Sequence, residues 1–180
     1  DSGASLPAFR LPATAYKEAW GACGARGMVQ KAFCAYDEDA VTLGIDAARS
    51  ALGRLGNNQP AIGALFFGVT APPFDERPSA ATLATALFDY KNIRVTEISG
   101  SPQAGMQAIN SAIEYCQSNN GRSALAVVAD APTAPPDATF EHALGAAGAA
   151  FVIGPDGPVA EFLKCFSAVS YTHLTLPTNA

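Results

Sequence analysis

Residues 93–117 read IRVTEISGSPQAGMQAINSAIEYCQ, and the change of period inside them decides the fold. Ile93, Val95, Thr96 and Ile98 are β-branched and suit a short strand over residues 93–98. Gly100, Ser101 and Pro102 make a turn. From Ala104 onward the apolar residues recur at helical spacing through Ala108, Ile109, Ala112, Ile113 and Cys116. Ser101 is the expected N-cap and Pro102 the expected first residue of a helix over 102–117, because the first turn has no use for the N–H that proline lacks. Ala104, Gly105 and Ala108 are small enough to let this helix lie close against a neighbour. A strand that delivers a helix N-terminus into the middle of a fold creates positive potential, able to lower a thiol pKa or hold an anion.

The flanking segments repeat the theme of buried strand and amphipathic helix. On the N-terminal side, residues 64–69 (ALFFGV) are a continuous apolar run, and residues 124–129 (ALAVVA) are another on the C-terminal side. Runs of this kind suit strands covered on both faces, as in a parallel sheet. Residues 144–153 read as a bend and a further apolar strand over 149–153. Between Asp37, an expected N-cap, and Gly56 lies an amphipathic helix carrying Val41, Leu43, Ile45, Ala48, Ala51, Leu52 and Leu55. Ser79 is expected to cap a helix running to about Asp89, and Thr14 one running to Trp20. Residues 70–74 and 130–137 are proline-rich loops, and residues 21–27, with three glycines, form another. Helices alternating with buried strands define an α/β class with a mixed central sheet.

Composition sets limits on function. The 180 residues are 49% apolar and 15% charged, enough for a large core and too apolar for disorder. Eleven basic residues against sixteen acidic ones leave a net charge of −5, with no basic cluster to draw nucleic acid. No apolar run approaches the roughly 20 residues of a membrane span, so neither a nucleic acid nor a membrane is an expected partner. Cys23, Cys34, Cys116 and Cys165 lack C-x-x-C spacing and read as reduced thiols of a cytoplasmic protein. With only His142 and His173, a histidine-built metal site is not expected. Residues 6–11 are expected to begin without a preceding strand, with the native start missing. Residues 169–180 break from the Ala/Gly-rich style and read as a non-native tail, leaving 1–168 as the folded unit and the chain a fragment at both ends.

An ordered set of segments resembles one family. Tyr36-Asp37-Glu38-Asp39-Ala40-Val41-Thr42-Leu43 resembles a segment of the hydroxymethylglutaryl-CoA synthase-like branch of the thiolase-like superfamily. Residues 64–74 are similar to its first long strand and active-site loop, residues 103–108 to the helix after its nucleophile, and residues 124–130 and 148–154 to its next two strands. The resemblance runs over about residues 6–165. It implies the N-terminal half of a duplicated, layered αβα thiolase-like fold, and membership in an oligomer, homo- or hetero-, of thiolase-fold subunits. It further implies acyltransferase chemistry: a Claisen-type condensation of thioesters, with an acyl-CoA or acyl-carrier thioester as partner and CoA thioester as substrate, not cofactor. A ketoacyl synthase III-like acyltransferase is the neighbouring reading.

The same resemblance implies three functional groups: a cysteine at the start of the buried helix, a carboxylate in the loop after the first long strand, and a histidine from the second half. Counted back from Ala104-Gly105, the cysteine position falls on Pro102, with Ser101 beside it; the carboxylate position falls on Thr70. Proline is no nucleophile and threonine no base near neutral pH. Ser101 and Thr70 are therefore the candidate site residues, with Ser101 expected mainly as a cap, and a non-catalytic subunit or scaffold is the alternative to an active enzyme. Asp75 and Glu76 read as a solvated loop pair and His142 as a surface or packing residue. Cys116, some fourteen residues into the helix and hence about 20 Å from its start, reads as a core thiol. Glu97 stands open between a buried acid and an edge or partner contact. Gly145 and Gly148 precede strand residues where a phosphate loop requires a helix.

Overall fold

The structure is a computed structural model, described for residues 1–89, 92–138, 140–155 and 160–165. Among the described residues seven strands and four α-helices follow one another in the order β1 (Ser2–Ser5), β2 (Phe9–Pro12), α1 (Ala13–Trp20), β3 (Gln30–Phe33), α2 (Ala40–Arg54), β4 (Ile62–Val69), α3 (Ser79–Leu87), β5 (Arg94–Ser99), α4 (Ala104–Ser118), β6 (Ser123–Asp130) and β7 (Ala147–Ile153). Five strands form one mixed sheet in the order β1-β7-β6-β4-β5, and β2 pairs with β3 in a separate ribbon. Within the sheet β6, β4 and β5 run parallel, while β7 and β1 are antiparallel additions at one side.

Strand alternation sorts the core into two layers. Odd-numbered Leu65, Phe67, Val69, Leu125 and Val127 face α2 and α3, meeting Leu43, Ala47, Ala51, Leu52 and Leu83. Even-numbered Ala64, Phe66, Ala124 and Ala126 face α4 and its Ala108, Ala112, Tyr115 and Cys116. Two faces covered by helices explain why these strands are apolar throughout. Leu43, Leu65, Phe67, Leu83 and Leu125 are fully buried, each contributing about 1.5–3 kcal/mol relative to an exposed side chain. The α4 face is built mostly of alanine, so the helix sits close. At Gly68 a Cβ would lie only 2.6 Å from the Ala104 carbonyl oxygen.

From β4 the chain moves to β5 through α3, then from β5 past β4 to β6 through α4. Crossovers of one hand running in opposite directions place their helices on opposite faces. The carboxyl end of β4 is therefore the point where the connections diverge, the usual location of a ligand crevice in an open α/β sheet.

The expected layered α/β class and mixed sheet are present. Several details differ. A strand, β1, does precede residues 6–11; its Ser-Gly-Ala-Ser sequence is held by the free edge of β7. Asp39, not Asp37, caps α2, in a reciprocal box with Thr42. Pro12 and Pro78, not Thr14 and Ser79, precede α1 and α3. The capping role at α3 falls to Glu97, whose Oε2 accepts the Ala80 N–H at 2.9 Å from the neighbouring strand. That settles Glu97 as a half-buried edge-strand residue with a fixed structural partner. The expected tail, residues 169–180, lies outside the described residues.

Candidate functional site

Three parallel strands end together, and their last residues and following turns form the site. β4 ends at Val69 and hands on to Thr70, β5 runs out at Ser99 into Gly100 and Ser101, and β6 ends at Asp130. The Gly100 N–H donates to the Thr70 carbonyl at 3.1 Å, so the loops after β4 and β5 are tied. Gly100 has φ of 80°, a left-handed value glycine adopts without strain. Its turn directs residues 101–103 toward α4.

Ser101 is half-buried but does not cap α4. Its Oγ accepts the Gln103 N–H at 3.2 Å and its carbonyl accepts the Ala104 N–H at 2.9 Å, so Ser101-Pro102-Gln103 is a turn leading into the helix. The N-cap is Gln103, whose side chain makes no capping bond, and helical residues begin at Ala104. The expected cap and the expected first helical residue are thus each displaced by two positions. A single polar turn can satisfy the amide before the helix as well as a cap could, and here it does. Pro102 lies exposed on this turn.

Thr70 is bound to a carboxylate that sequence reading passed over. Its N–H donates to Asp130 Oδ1 at 2.7 Å and its hydroxyl donates to Asp130 Oδ2 at 2.7 Å. Parallel pairing of β4 with β6, which aligns Gly68 with Val128, brings residues 70 and 130 side by side. In the sequence Asp130 opens the proline-rich stretch 130–137, and no local pattern marks it otherwise. Each of its oxygens accepts from the same residue, so Thr70 acts as a bidentate donor to the carboxylate.

The other residues noted in the sequence do not converge here. Asp75 and Glu76 are exposed in the loop before α3. Cys116 is buried near the far end of α4, where burial pushes its thiol up. Cys34 is half-buried, its thiol raised by burial and by the charges of Glu38 and Asp39. All four cysteines are free thiols. Among the described residues no group of three or more His, Cys, Asp or Glu could hold a metal ion, and no helix is long and apolar enough to cross a membrane.

Beyond Asp130 the chain walls a cleft of about 310 Å³ lined by Leu11, Lys31, Cys34, Pro132, Glu141 and Leu144 among others. Its polar wall is an ion pair, Lys31 Nζ to Glu141 Oε1 at 2.5 Å, to which the Tyr16 hydroxyl also donates at 2.8 Å. Thr70, Ser101 and Pro102 are not part of its lining. His142 is buried beside this pair, packed on the Tyr16 ring at 4.1 Å. It is a packing residue, not a surface one. A second, more polar cleft of about 470 Å³ opens at the other end of the strands, around Leu55, Arg122 and Ser123.

No family model matches the chain. Over 172 residues, 94% of its length, it is 33% identical to the hydroxymethylglutaryl-CoA synthase of Thermococcus gammatolerans and equally to that of Pyrococcus furiosus. The alignment takes in 49% of each, so the chain spans about half the length of the curated relatives it matches. Among solved structures it resembles the synthase III of Thermus thermophilus, with a TM-score of 0.72 and 18% identity over 86% of this chain and 50% of that one. It also resembles an HMG-CoA synthase complexed with CoA, with a TM-score of 0.75 and 17% identity over 84% and 40%. A synthase of the curacin pathway, in complex with an acetyl donor acyl carrier protein, gives 0.75 and 20% over 84% and 39%.

Proposed function

Taking as premise that the chain is hydroxymethylglutaryl-CoA synthase-like, with half of a thiolase-like αβα fold, we propose that it supplies a thioester-binding half-site without condensing activity. The observation that carries this reading is the state of the two positions where the family resemblance puts the reacting groups. Pro102 stands exposed on the turn into α4. Thr70 spends both its N–H and its hydroxyl on Asp130. A proline at the nucleophile position removes covalent catalysis, and losing a positioned general base costs a further factor of about 10²–10⁴.

The site retains the means to hold a ligand. It sits at the carboxyl ends of parallel strands where connections diverge, and the start of α4 directs backbone N–H groups outward. On the likeness to relatives solved with CoA and with an acetyl donor acyl carrier protein, the ligand is a CoA or carrier-protein thioester. Within this reading the chain works as a scaffold or acyl-thioester-binding subunit with other thiolase-fold subunits, and such a subunit completes the site.

The competing reading, a condensing acyltransferase that uses Ser101, has Asp130 in its favour, since a carboxylate does stand at this end of the sheet. Against it, the Asp130 oxygens already accept two hydrogen bonds from Thr70, and Ser101 Oγ is engaged within its own turn. Incubation of the purified chain with acetyl-CoA and with acetoacetyl-CoA, followed by intact-protein mass spectrometry and calorimetric titration, separates the two. The expected result is binding with no acyl adduct and no release of free CoA. A stoichiometric adduct mapped to Ser101 would establish the enzyme instead.

A further inference from the structure

His142 stands between two loops that belong to different parts of the chain. It lies in the turn before β7, 4% exposed. Its Nδ1 accepts the N–H of Gly24 at 2.7 Å, from the glycine-rich loop that joins α1 to β3. A backbone N–H can only donate, so Nδ1 is bare and the neutral ring carries its hydrogen on Nε2. Nε2 faces Asp137 Oδ1 at 3.3 Å, close enough for an ion pair but without a well-formed hydrogen bond. Asp137 belongs to the proline-rich loop after β6 and has φ of 60°, uncommon for a residue with a Cβ.

The groups around the ring decide what a second proton would do. Asp137 faces it from the proline-rich loop, and Glu141 Oε2 lies 4.0 Å away on its own turn. From α1 come the rings of Tyr16 at 4.1 Å and Trp20 at 6.3 Å. The Tyr16 hydroxyl and the Lys31 ammonium, on α1 and β3, both bond Glu141. Cys23 precedes Gly24 on the glycine-rich loop, its thiol directed to the Ala25 carbonyl. Asp137 and Glu141 thus face one histidine, and with Lys31 paired to Glu141 the surroundings carry one negative charge in excess.

We propose that His142 is an acid-sensitive latch that holds the glycine-rich loop, residues 21–27, in the neutral state and releases it on protonation. The second proton goes to Nδ1, the position at which the Gly24 N–H already points. Two donors cannot share one lone pair, so the Gly24 bond breaks. The new charge draws the ring toward Asp137, whose contact becomes a charged hydrogen bond. The tie passes from one loop to the other. Histidine is the side chain whose unperturbed charge change falls between pH 5 and 8. Because the released loop leads directly into β3, which carries Lys31, the cleft beside Lys31 and Glu141 changes shape with it.

Amide hydrogen exchange by NMR on the full chain, between about pH 7.5 and 5.0, tests the latch. The Gly24 protection factor is expected to fall about tenfold or more, while Gly100, bonded to Thr70, keeps its own. Ring ¹⁵N shifts of His142 should pass from the Nε2–H tautomer to the imidazolium over the same range. In His142→Gln, which keeps an acceptor and a donor but gains no charge, Gly24 protection should not vary with pH. Should that variant fail to fold, Asp137→Asn is expected to move the loss of protection to lower pH by weakening the imidazolium. A Gly24 protection factor constant within about twofold in the parent chain overturns the proposal, whether or not the ring titrates. So does a His142→Gln variant that loses protection as the parent does, or an Asp137→Asn variant that leaves the transition in place.

Discussion

Replacing Gly68 by alanine tests how closely α4 sits on the sheet, and with it the placement of the turn at Pro102. A Cβ at Gly68 would stand 2.6 Å from Ala104 O, 2.7 Å from the Gly105 Cα and 2.8 Å from the Ala104 carbonyl carbon. These are backbone atoms of the first turn of α4, so no rotamer change can make room. Ordinary carbon contacts lie at about 3.5–4.0 Å, and the helix start must therefore retreat by about 1 Å. Overpacking costs about 1–3 kcal/mol, and a rigid obstacle puts this case at about 2–3 kcal/mol. For a chain of this size each kcal/mol moves Tm by about 2–4 °C, which gives a drop of about 4–12 °C. Gly53→Ala is the matched control: it lies within α2 and its Cβ would meet nothing within 4 Å. That change should stabilise by about 0.5–1 kcal/mol. Thermal unfolding followed by circular dichroism and calorimetry reads both. A Gly68→Ala variant melting within about 1 °C of the parent would refute the close approach of α4 to β4.

Three further outcomes follow from single contacts. Asp39→Ala removes the side-chain half of the cap on α2 and should lower stability by about 0.5–2 kcal/mol in urea melts. Thr70→Val keeps shape but takes the hydroxyl from Asp130 Oδ2; a loss of about 1–3 kcal/mol is expected, and Asp130→Asn should make the two changes non-additive. Burial opposes the Glu141 charge, yet hydrogen bonds from Lys31 and Tyr16 outweigh it and hold the carboxyl below its ordinary value of 4.5. Its stabilisation is then complete above that value and lost as pH falls through the depressed one. For Lys31, burial opposes the charge and the Glu141 and Tyr16 bonds prevail, so its pKa is raised above 10.5; that share is present below 10.5 and lost as pH climbs through the raised value. Urea melts of Glu141→Gln should therefore show a deficit of about 1–3 kcal/mol near neutrality that shrinks as acid protonates the parent's Glu141.

Much of the sheet was legible because its strands advertise themselves. Residues 64–69 and 124–129 are continuous apolar runs, and only a strand covered on both faces explains them. What escaped was held by partners and not by local pattern. β1 has the sequence Ser-Gly-Ala-Ser and is a strand only because β7 offers it an edge. The β2–β3 ribbon pairs Phe9 with Phe33, two residues whose stacking no short window reveals. Helix starts slipped by one or two residues for a similar reason. In Asp37-Glu38-Asp39 either aspartate could cap, and the choice of Asp39 depends on where the backbone first turns helical. The site followed the same rule. Thr70 and Ser101 could be pointed to from sequence, but Asp130 gains its place only from the parallel register of β4 and β6.

The most direct test of the account restores the missing thiol. The parent chain and Pro102→Cys, both confirmed folded, are incubated with acetyl-CoA, and acylation is mapped by peptide mass spectrometry against the native cysteines Cys23, Cys34, Cys116 and Cys165 as internal controls. If the turn before α4 is a thioester site whose acylation step lacks its nucleophile, the variant acquires one acetyl group at position 102. That group should form faster than any modification of the native cysteines, and the parent should acquire none there or on Ser101. An acyl group on Ser101 in the parent, or a position 102 no more reactive than the native cysteines, would contradict the account.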